Sequence, residues 1–182
     1  MDRVVAQKID AFFGSSRLKK LAKNEVLFRP GEEPPGVYYL LSGEVKEYDI
    51  SKQGNEVVVN IFKPPAFFPM SWAINKTPNQ FFFETTDNIT YRVMPADKTV
   101  TFLKDNPDVL FDLLARVYSG VDGLLRRMAH LMGGSARSRV LFEILIAAKR
   151  YGKSTAGGSV VVKLHEDELA SRAGLSRETV SR

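Results

Sequence analysis

The sequence predicts an α+β protein with an N-terminal roll of short β-strands, one long helix and a C-terminal helix-turn-helix. Residues 26–62 contain short β-branched and aromatic runs that are separated by turn residues. Residues 108–132 change to a helical apolar period, and residues 166–182 have the residue spacing of two helices that cross steeply. These observations divide the chain into four predicted segments: 1–107, 108–132, 133–136 and 137–182.

The composition indicates a globular protein and excludes thiol chemistry. The 182 residues are 44% hydrophobic and include no cysteine, which excludes disulfides, thiolate metal sites and iron–sulfur clusters. We therefore expect a cytoplasmic location. The longest apolar run, VLFEILIAA, is about half the length of a membrane span, so no membrane partner is expected. Beyond Gly133 the chain has nine basic and five acidic residues, which favours a polyanionic partner.

The N-terminal segment is expected to open with two helical pieces, at 3–13 and 16–23, and then to become β-rich. Its strand-like runs are interrupted by RPGEEPPG, SGE and SKQGN, which contain the glycine, proline, asparagine and serine that turns need. Regular short strands joined by such turns indicate an all-β barrel or roll. The later stretch PADKTVTFLKDN is predicted to be a short helix.

The long helix is predicted to have two apolar stripes. Its start signal is Asn106-Pro107-Asp108. One stripe alternates spacings of four and three residues, as in a coiled-coil seam, and would meet a sister helix in a dimer. The other would lie on the β-domain; a single wide stripe on one core is the alternative. The predicted dimer interface consists of Leu114, Val117, Val121, Leu124, Met128 and Leu131.

Gly133 and Gly134 are predicted to end the long helix and to form a flexible hinge. The stretch ARSRVLFEILIAAKRYGK that follows reads as a second helix ending at Gly152, and SVVVKL reads as a strand.

The C-terminal stretch ELASRAGLSRETVSR predicts a helix-turn-helix. Ala170 is the small residue needed where two helices approach, Gly174 suits a turn with positive φ, and Val180 is a β-branched residue for the shared core. Ser176 is the expected N-cap of the second helix. A helical hairpin without a binding role is the structural alternative.

The outward side chains of the second helix are candidates for DNA contacts. Arginine can pair with guanine and glutamate can accept from cytosine in the major groove, whereas hydroxyl groups more often bind phosphates. A solvated charged face with a Glu178–Arg182 ion pair is the competing interpretation. The predicted base contacts are Arg177, Glu178, Ser181 and Arg182, and the predicted phosphate contacts are Ser176 and Thr179.

LASRAGLSRETVSR and LFRPGEEPPGVYYLLSGEVKEY resemble the helix-turn-helix and the β-roll of the Crp-Fnr family of transcription regulators. The resemblance implies a double-stranded β-roll of the cyclic-nucleotide-binding type, a dimerisation helix and a winged helix-turn-helix. It implies one DNA half-site per subunit, with Arg177, Glu178 and Arg182 reading bases and Ser181 placed as in the Fnr-like branch. Half-sites like TGTGA or TTGAT are expected, and RNA polymerase is a candidate partner.

The effector region departs from cyclic-nucleotide binders of the family. Those proteins hold the ribose and phosphate with a Gly-Glu and an arginine, which FKPPAFFPMSWAINKTPNQFFFETT lacks. Leu124 and Leu125 replace the polar pair that contacts the base, so cAMP is not expected. An apolar cluster in this place either binds a small apolar or aromatic effector or fills the pocket with protein. The candidate pocket residues are Phe67, Phe68, Met70, Trp72, Phe82, Leu124 and Leu125.

The two histidines carry little further chemistry. His165 falls at the N-cap position where the family usually has a serine or threonine that contacts phosphate, so it is a candidate phosphate contact. His130 lies at the end of the long helix, where a solvated or dimer-edge side chain is expected. The β-segment contains no histidine, so neither a metal site nor an enzyme of the metal-dependent barrel type is expected.

Arg182 falls inside the expected recognition helix, so the winged helix-turn-helix is incomplete in this sequence. We expect this polypeptide to bind DNA weakly, and a longer protein with the rest of the motif to bind it specifically. The alternative function is a ligand-sensing or protein-interaction module that does not bind DNA.

Overall fold

The computed structural model describes residues 2–51, 54, 56–155 and 157–182. The chain forms two compact units, Met1–Leu113 and Leu114–Arg182, and the boundary between them falls inside the long helix. The first unit contains the strands of the roll, and the second contains the helices that follow. The predicted α+β class, with an antiparallel β-roll and a long helix, is confirmed.

The first unit is built from two four-stranded antiparallel sheets. The strand orders are β1-β8-β3-β6 and β2-β7-β4-β5. The elements in chain order are α1 (Arg3–Gly14), β1 (Lys19–Leu21), β2 (Val26–Phe28), β3 (Val37–Ser42), β4 (Val45–Ile50), β5 (Glu56–Phe62), β6 (Ala66–Phe68), α2 (Met70–Asn75), β7 (Phe82–Thr85), β8 (Ile89–Met94), α3 (Ala96–Asp105) and α4 (Pro107–Gly133).

One local prediction in this unit was wrong, and one short helix was not predicted. The helix expected at 16–23 is absent, because the hydroxyls of Ser15 and Ser16 donate to the last carbonyls of α1 and end it. The next residues then pair with β8 as strand β1, since Leu21 lies opposite Ile89. In the apolar stretch after β6, where no helix was expected, the chain forms the short helix α2, which ends at Lys76 in the left-handed region.

An aromatic cluster joins the two sheets. Its members come from strands of both sheets, and their rings stack: the centroids of Phe28 and Phe83, within one sheet, are 4.3 Å apart, and those of Phe62 and Phe68, from different sheets, are 4.5 Å apart. A second cluster lies on the opposite side of β3 and β6, where α1 contributes Ile9. Consecutive residues of a strand face opposite ways, so one strand serves both clusters.

One carboxyl group faces the interior of the roll. Glu47 lies on the same side of β4 as the buried Val45, directly opposite Phe83 on one side and Asn60 on the other. Burial raises the pKa of Glu47 from 4.5 to about 7, although a hydrogen bond from Asn60 opposes this change. The alternation of β4 predicts this orientation, but sequence analysis did not single the residue out.

The second unit begins with the C-terminal part of α4. The elements that follow are α5 (Ala136–Tyr151), β9 (Lys153–Ser154), β10 (Val160–Val161), α6 (Glu166–Ala173) and α7 (Arg177–Ser181). The strand expected over SVVVKL is shorter than predicted. Its partner β9 has only two residues, so the sheet register pairs Val160 with Ser154 and Val161 with Lys153 and extends no further.

The joint between α4 and α5 is short and closely hydrogen-bonded. Gly134 donates its backbone N–H to the carbonyl of His130 at 3.0 Å, and Ser135 caps α5. A Cβ at Gly134 would lie 2.5 Å from that carbonyl oxygen and 2.6 Å from Ser138 Oγ, so glycine is required by close approach. Gly133 is the last residue of α4. That this joint acts as a hinge stays a prediction.

Thr85 is expected to be the most sensitive polar position of the roll. Its buried hydroxyl donates to the carbonyl of Ala22 at 2.6 Å and accepts from the N–H of Glu25 at 2.8 Å. Thr85→Val should lower the free energy of unfolding by about 1–3 kcal/mol, because the groups it bonds are left unpaired. Urea denaturation measures this, with Thr101→Val at an exposed site as the control. Equal losses in the two variants would contradict the assigned role.

Glu47 should make the stability of the roll depend on pH. Because its folded pKa of about 7 lies above the ordinary 4.5, the folded state keeps this proton longer than the unfolded state. The resulting stabilisation is complete below the ordinary pKa and is lost as the pH rises through 7. Between pH 5 and pH 8 the free energy of unfolding, measured by urea denaturation, should fall by about 1–3 kcal/mol more in the parent than in Glu47→Gln. Glutamine cannot ionise, so the variant lacks this contribution. Glu33→Gln, at an exposed position, should leave the pH dependence unchanged.

Candidate nucleic-acid interface

The helix-turn-helix has the geometry that its residue types predict. Gly174 adopts φ +62° between α6 and α7, and the N–H of Leu175 donates to the carbonyl of Ala170 at 2.9 Å. Ala170 and Ala173 are buried at the junction, and Val180 is half-buried. Small side chains at the contact therefore let the two helices approach closely.

Two hydroxyl groups cluster at the start of α7. Ser176 caps this helix by accepting from the N–H of Thr179 at 3.3 Å, and the two side-chain oxygens are 3.1 Å apart. Both residues are exposed. Two of the three residues predicted to contact phosphate, Ser176 and Thr179, therefore lie side by side with exposed hydroxyl groups.

Arg177 is tied to the beginning of α6. Its Nε donates to Glu166 Oε2 at 3.2 Å and lies 3.7 Å from Asp167 Oδ1. This hydrogen bond raises the pKa of the Arg177 guanidinium further. The side chain is nevertheless 62% exposed, so its remaining donors face solvent. Sequence analysis considered an ion pair between Glu178 and Arg182 but missed this longer-range pairing.

The other predicted contacts lie on α7 or at its end, except for His165, which precedes α6. The pKa of Glu178 is lowered by its own backbone N–H and by the hydroxyl of Ser176. Ser181 and Arg182 are exposed at the end of α7. His165 is exposed just before α6, and its carbonyl accepts from Leu169 at 3.0 Å, which is the backbone role of an N-cap residue. The surface thus gathers six of the seven predicted DNA contacts on α7 and its cap.

The apolar stripes of α4 are exposed in the single chain. In the predicted dimer interface, the exposed fraction is 38% for Leu114, 53% for Leu124 and 55% for Met128, and Leu131 is half-buried. The second stripe is exposed too, with Met132 at 84%. The remaining interface residues, Val117 and Val121, also belong to the exposed large hydrophobic side chains.

The candidate effector residues of the first unit do not converge on one cavity. Phe68 belongs to the cluster between the sheets, whereas Phe67 belongs to the cluster under α1. Met70 and Trp72 pack on the α1 side, and the ring of Phe82 stacks on Tyr48 at 5.1 Å. Phe67 and Phe68 are adjacent in β6, and adjacent residues of a strand face opposite sides of the sheet, so they cannot line one cavity. The other two candidates, Leu124 and Leu125, are exposed on α4 in the second unit.

Sequence analysis also missed a buried ion pair between α4 and α5, the helix that packs against the helix-turn-helix. Glu143 of α5 is fully buried and accepts two hydrogen bonds from Arg127 of α4, at 2.7 and 3.2 Å. The available signal was a single charged residue within the apolar run VLFEILIAA. A carboxylate in such a run needs a cationic partner, but the sequence does not say which arginine supplies it.

Neither a metal-binding cluster nor a membrane-spanning helix occurs among the described residues. They contain no group of three or more histidine or acidic side chains that is placed to bind a metal ion. None of the helices in this part of the chain has the length and apolar character needed to cross a bilayer.

The chain is similar to known regulators over most of its length. A family model described as the cyclic nucleotide-binding domain matches residues 18–106. The global nitrogen regulator of Nostoc sp. is 25% identical over 88% of this chain and 73% of its own length. The CRP-like cAMP-activated global transcriptional regulator of Mycobacterium tuberculosis is 25% identical over 88% of this chain and 72% of its own.

Solved structures show the same architecture. The c-di-GMP responsive global regulator CLP of Xanthomonas campestris superposes with a TM-score of 0.77 at 19% identity, over 97% of this chain and 88% of that one. A CRP/FNR-family regulator of Thermus thermophilus superposes with a TM-score of 0.68 at 23% identity, over 91% and 82% of the two chains.

These relatives are transcription regulators rather than enzymes. The β-roll, the long helix and the helix-turn-helix occur here in the order that the quoted motifs predict. Taken together, the motifs, the fold and the relatives support the assignment of the chain to the Crp-Fnr family of transcription regulators.

Proposed function

We propose that this regulator acts as a homodimer that reads a palindromic DNA site through α7. The observation that carries the proposal is the composition of the exposed face of α7, which combines two arginines, a glutamate and a pair of hydroxyl groups. Arginine and glutamate recognise base edges in the major groove, and hydroxyls bind phosphates. RNA polymerase and a cytoplasmic location belong to the same proposal.

The dimer is supported by the seam of α4. Its apolar side chains follow a coiled-coil spacing, and a coiled-coil partner would remove them from water. A twofold axis along this helix would place two copies of α7 on successive major grooves, about 34 Å apart. The two half-sites, of the TGTGA or TTGAT type, would then be inverted repeats.

The effector proposed for this chain is not a cyclic nucleotide. The two relatives that are named for cAMP and c-di-GMP respond to phosphate-containing ligands, whereas the interior of this roll presents aromatic rings and the carboxyl group of Glu47. As the pH rises through the Glu47 pKa of about 7 this carboxyl group ionises, and the ionised form repels a phosphate. A small apolar or aromatic effector is the proposed ligand, and a roll that its own aromatic side chains fill completely is the alternative.

The alternative function, a sensing or interaction module without DNA binding, is favoured by one observation. Glu166 and Asp167 hold the guanidinium of Arg177, and acidic groups beside a predicted base contact repel phosphates. Selection of bound sequences from a random DNA pool by the protein expressed from its complete reading frame distinguishes the two functions. Enrichment of a palindrome supports DNA reading, and absence of enrichment at low salt supports the module.

Arg177→Ala is expected to relax specificity at one base pair of each half-site. The loss should be about 1–3 kcal/mol for the preferred base and small for the other three, because a bidentate contact discriminates between bases. Competition binding with site variants measures this. Arg3→Ala, which removes an exposed arginine far along the sequence, is the matched control. An equal loss of affinity on all sequences would assign Arg177 to phosphates instead.

Leu124→Glu is expected to convert the dimer to monomers, because two like charges would face each other in an apolar seam at a cost of several kcal/mol. Sedimentation equilibrium should give twice the chain mass of 20.4 kDa for the unmodified chain and the single mass for the variant. Ser119→Glu adds the same charge at an exposed position of α4 outside the predicted interface and should leave the dimer intact. A monomeric unmodified chain would refute the dimer.

A further inference from the structure

A buried ion pair fastens the end of α4 to α5. The fully buried carboxylate of Glu143 accepts from Arg127 Nε at 2.7 Å and from Nη2 at 3.2 Å. This two-pronged geometry is the strongest arrangement that an arginine and a carboxylate can form. A buried carboxylate cannot be left without a partner at low cost, so the pair constrains how the two helices meet.

A second contact lies beside this pair. The rings of His130 on α4 and Phe142 on α5 stack with centroids 4.0 Å apart. Between the two helices only Gly134 and Ser135 are non-helical. The angle between α4 and α5 is therefore set mainly by the ion pair, the stacked rings and this short turn.

Arg139 lies one helical turn before Glu143 on α5 and has an unused donor. Its Nε is buried and has no hydrogen-bond partner within the described part of the chain. Leaving a buried donor unpaired is costly, and native structures seldom do so without a reason. Residues four apart on a helix share one face, so the side chain of Arg139 is within reach of the Glu143 carboxylate.

Arg139 also reaches the turn of the DNA-reading motif. Its Nη1 is 3.6 Å from the position that a Cβ would occupy at Gly174. Helix α5 packs against both α6 and α7. A change in the position of Arg139 or α5 would therefore shift the turn at Gly174 and, with it, the orientation of α7.

We propose that Glu143 is a shared acceptor for two arginines and that the exchange between them sets the position of the reading helix. In the present conformation Glu143 binds Arg127 and leaves Arg139 Nε unpaired. In a second conformation it releases Arg127, binds Arg139 and allows α5 to change its angle to α4. Arg127 and Glu143 are thus positioning residues for α7. The consequence for DNA rests on the proposed function, whereas the exchange itself does not.

Distances between spin labels test the exchange without DNA. The chain has no cysteine, so Ser119→Cys on α4 and Lys149→Cys on α5 place two nitroxides at exposed positions. Dilution into unlabelled protein restricts the signal to one chain. The distance distribution should have one major peak in the labelled parent, and Arg127→Met should move it to a second distance. An unchanged distribution in a folded variant would overturn the proposal.

A double-mutant cycle identifies the new partner. The coupling between Glu143→Gln and Arg139→Met, measured as the shift of the urea midpoint, should be absent in the parent and appear once Arg127 is replaced by methionine. Absence of coupling in that background would refute the exchange. If Arg127→Met does not fold, Arg127→Lys keeps the charge but loses the two-pronged contact, and it should show both distances. A single parental distance in that variant would also refute it.

Binding to the selected DNA site separates this inference from the proposed function. If Arg127→Met moves the distance and changes DNA affinity at least tenfold, the exchange positions α7. If it moves the distance while affinity stays the same, the positioning role is overturned. If no variant, including the parent, binds any DNA while the distance moves, the proposed function fails and the ion-pair exchange stands.

Discussion

Aromatic packing between two sheets is the interaction on which the first unit depends. Neither four-stranded sheet could bury its inner face alone, and the stacked rings of Phe28, Phe62, Phe68 and Phe83 join one sheet to the other. Large rigid rings bury much apolar area for little loss of side-chain freedom, so a few of them stabilise short strands. The same packing occupies space inside the roll. Stability of the roll and room for a ligand therefore compete for one volume.

The polar groups of the roll are placed around this packing. Thr85 fixes the loop between β1 and β2 with its buried hydroxyl, and Glu47 faces the interior opposite Phe83. A carboxyl in this position makes the roll a different chemical environment from one that holds a phosphate with an arginine. The fold thus keeps the architecture of a cyclic nucleotide-binding domain, with the carboxyl group of Glu47 facing its interior.

Two ion pairs, one exposed and one buried, connect the helices of the second unit. Acidic residues at the start of α6 hold Arg177, and a fully buried glutamate holds the end of α4. Both pairs connect elements that carry or orient the proposed reading surface. An exposed pair such as Glu166–Arg177 is weak and can be replaced by a phosphate or a base, whereas the buried pair cannot be broken without a substitute. The exposed pair therefore leaves Arg177 available for the proposed DNA contact, and the buried pair constrains how α4 and α5 meet.

The sequence by itself determined the order of the three large parts, namely the β-roll, the long helix and the helix-turn-helix, although it did not predict β1 and α2. Those features depend on local patterns: turn residues between β-branched runs, a heptad spacing, and Ala170 and Gly174 at fixed positions. It also predicted which side chains of α7 face outward, because helical periodicity fixes their directions.

Only the tertiary structure decided which apolar residues share a cluster and which charges pair. Sequence analysis grouped Phe67 with Phe68 in one pocket, but strand alternation sends them to opposite sides of a sheet. The partners of Arg177 and Glu143 come from other helices, eleven and sixteen positions away, respectively. Contacts of this kind depend on how elements pack, and no local pattern of residues encodes that packing.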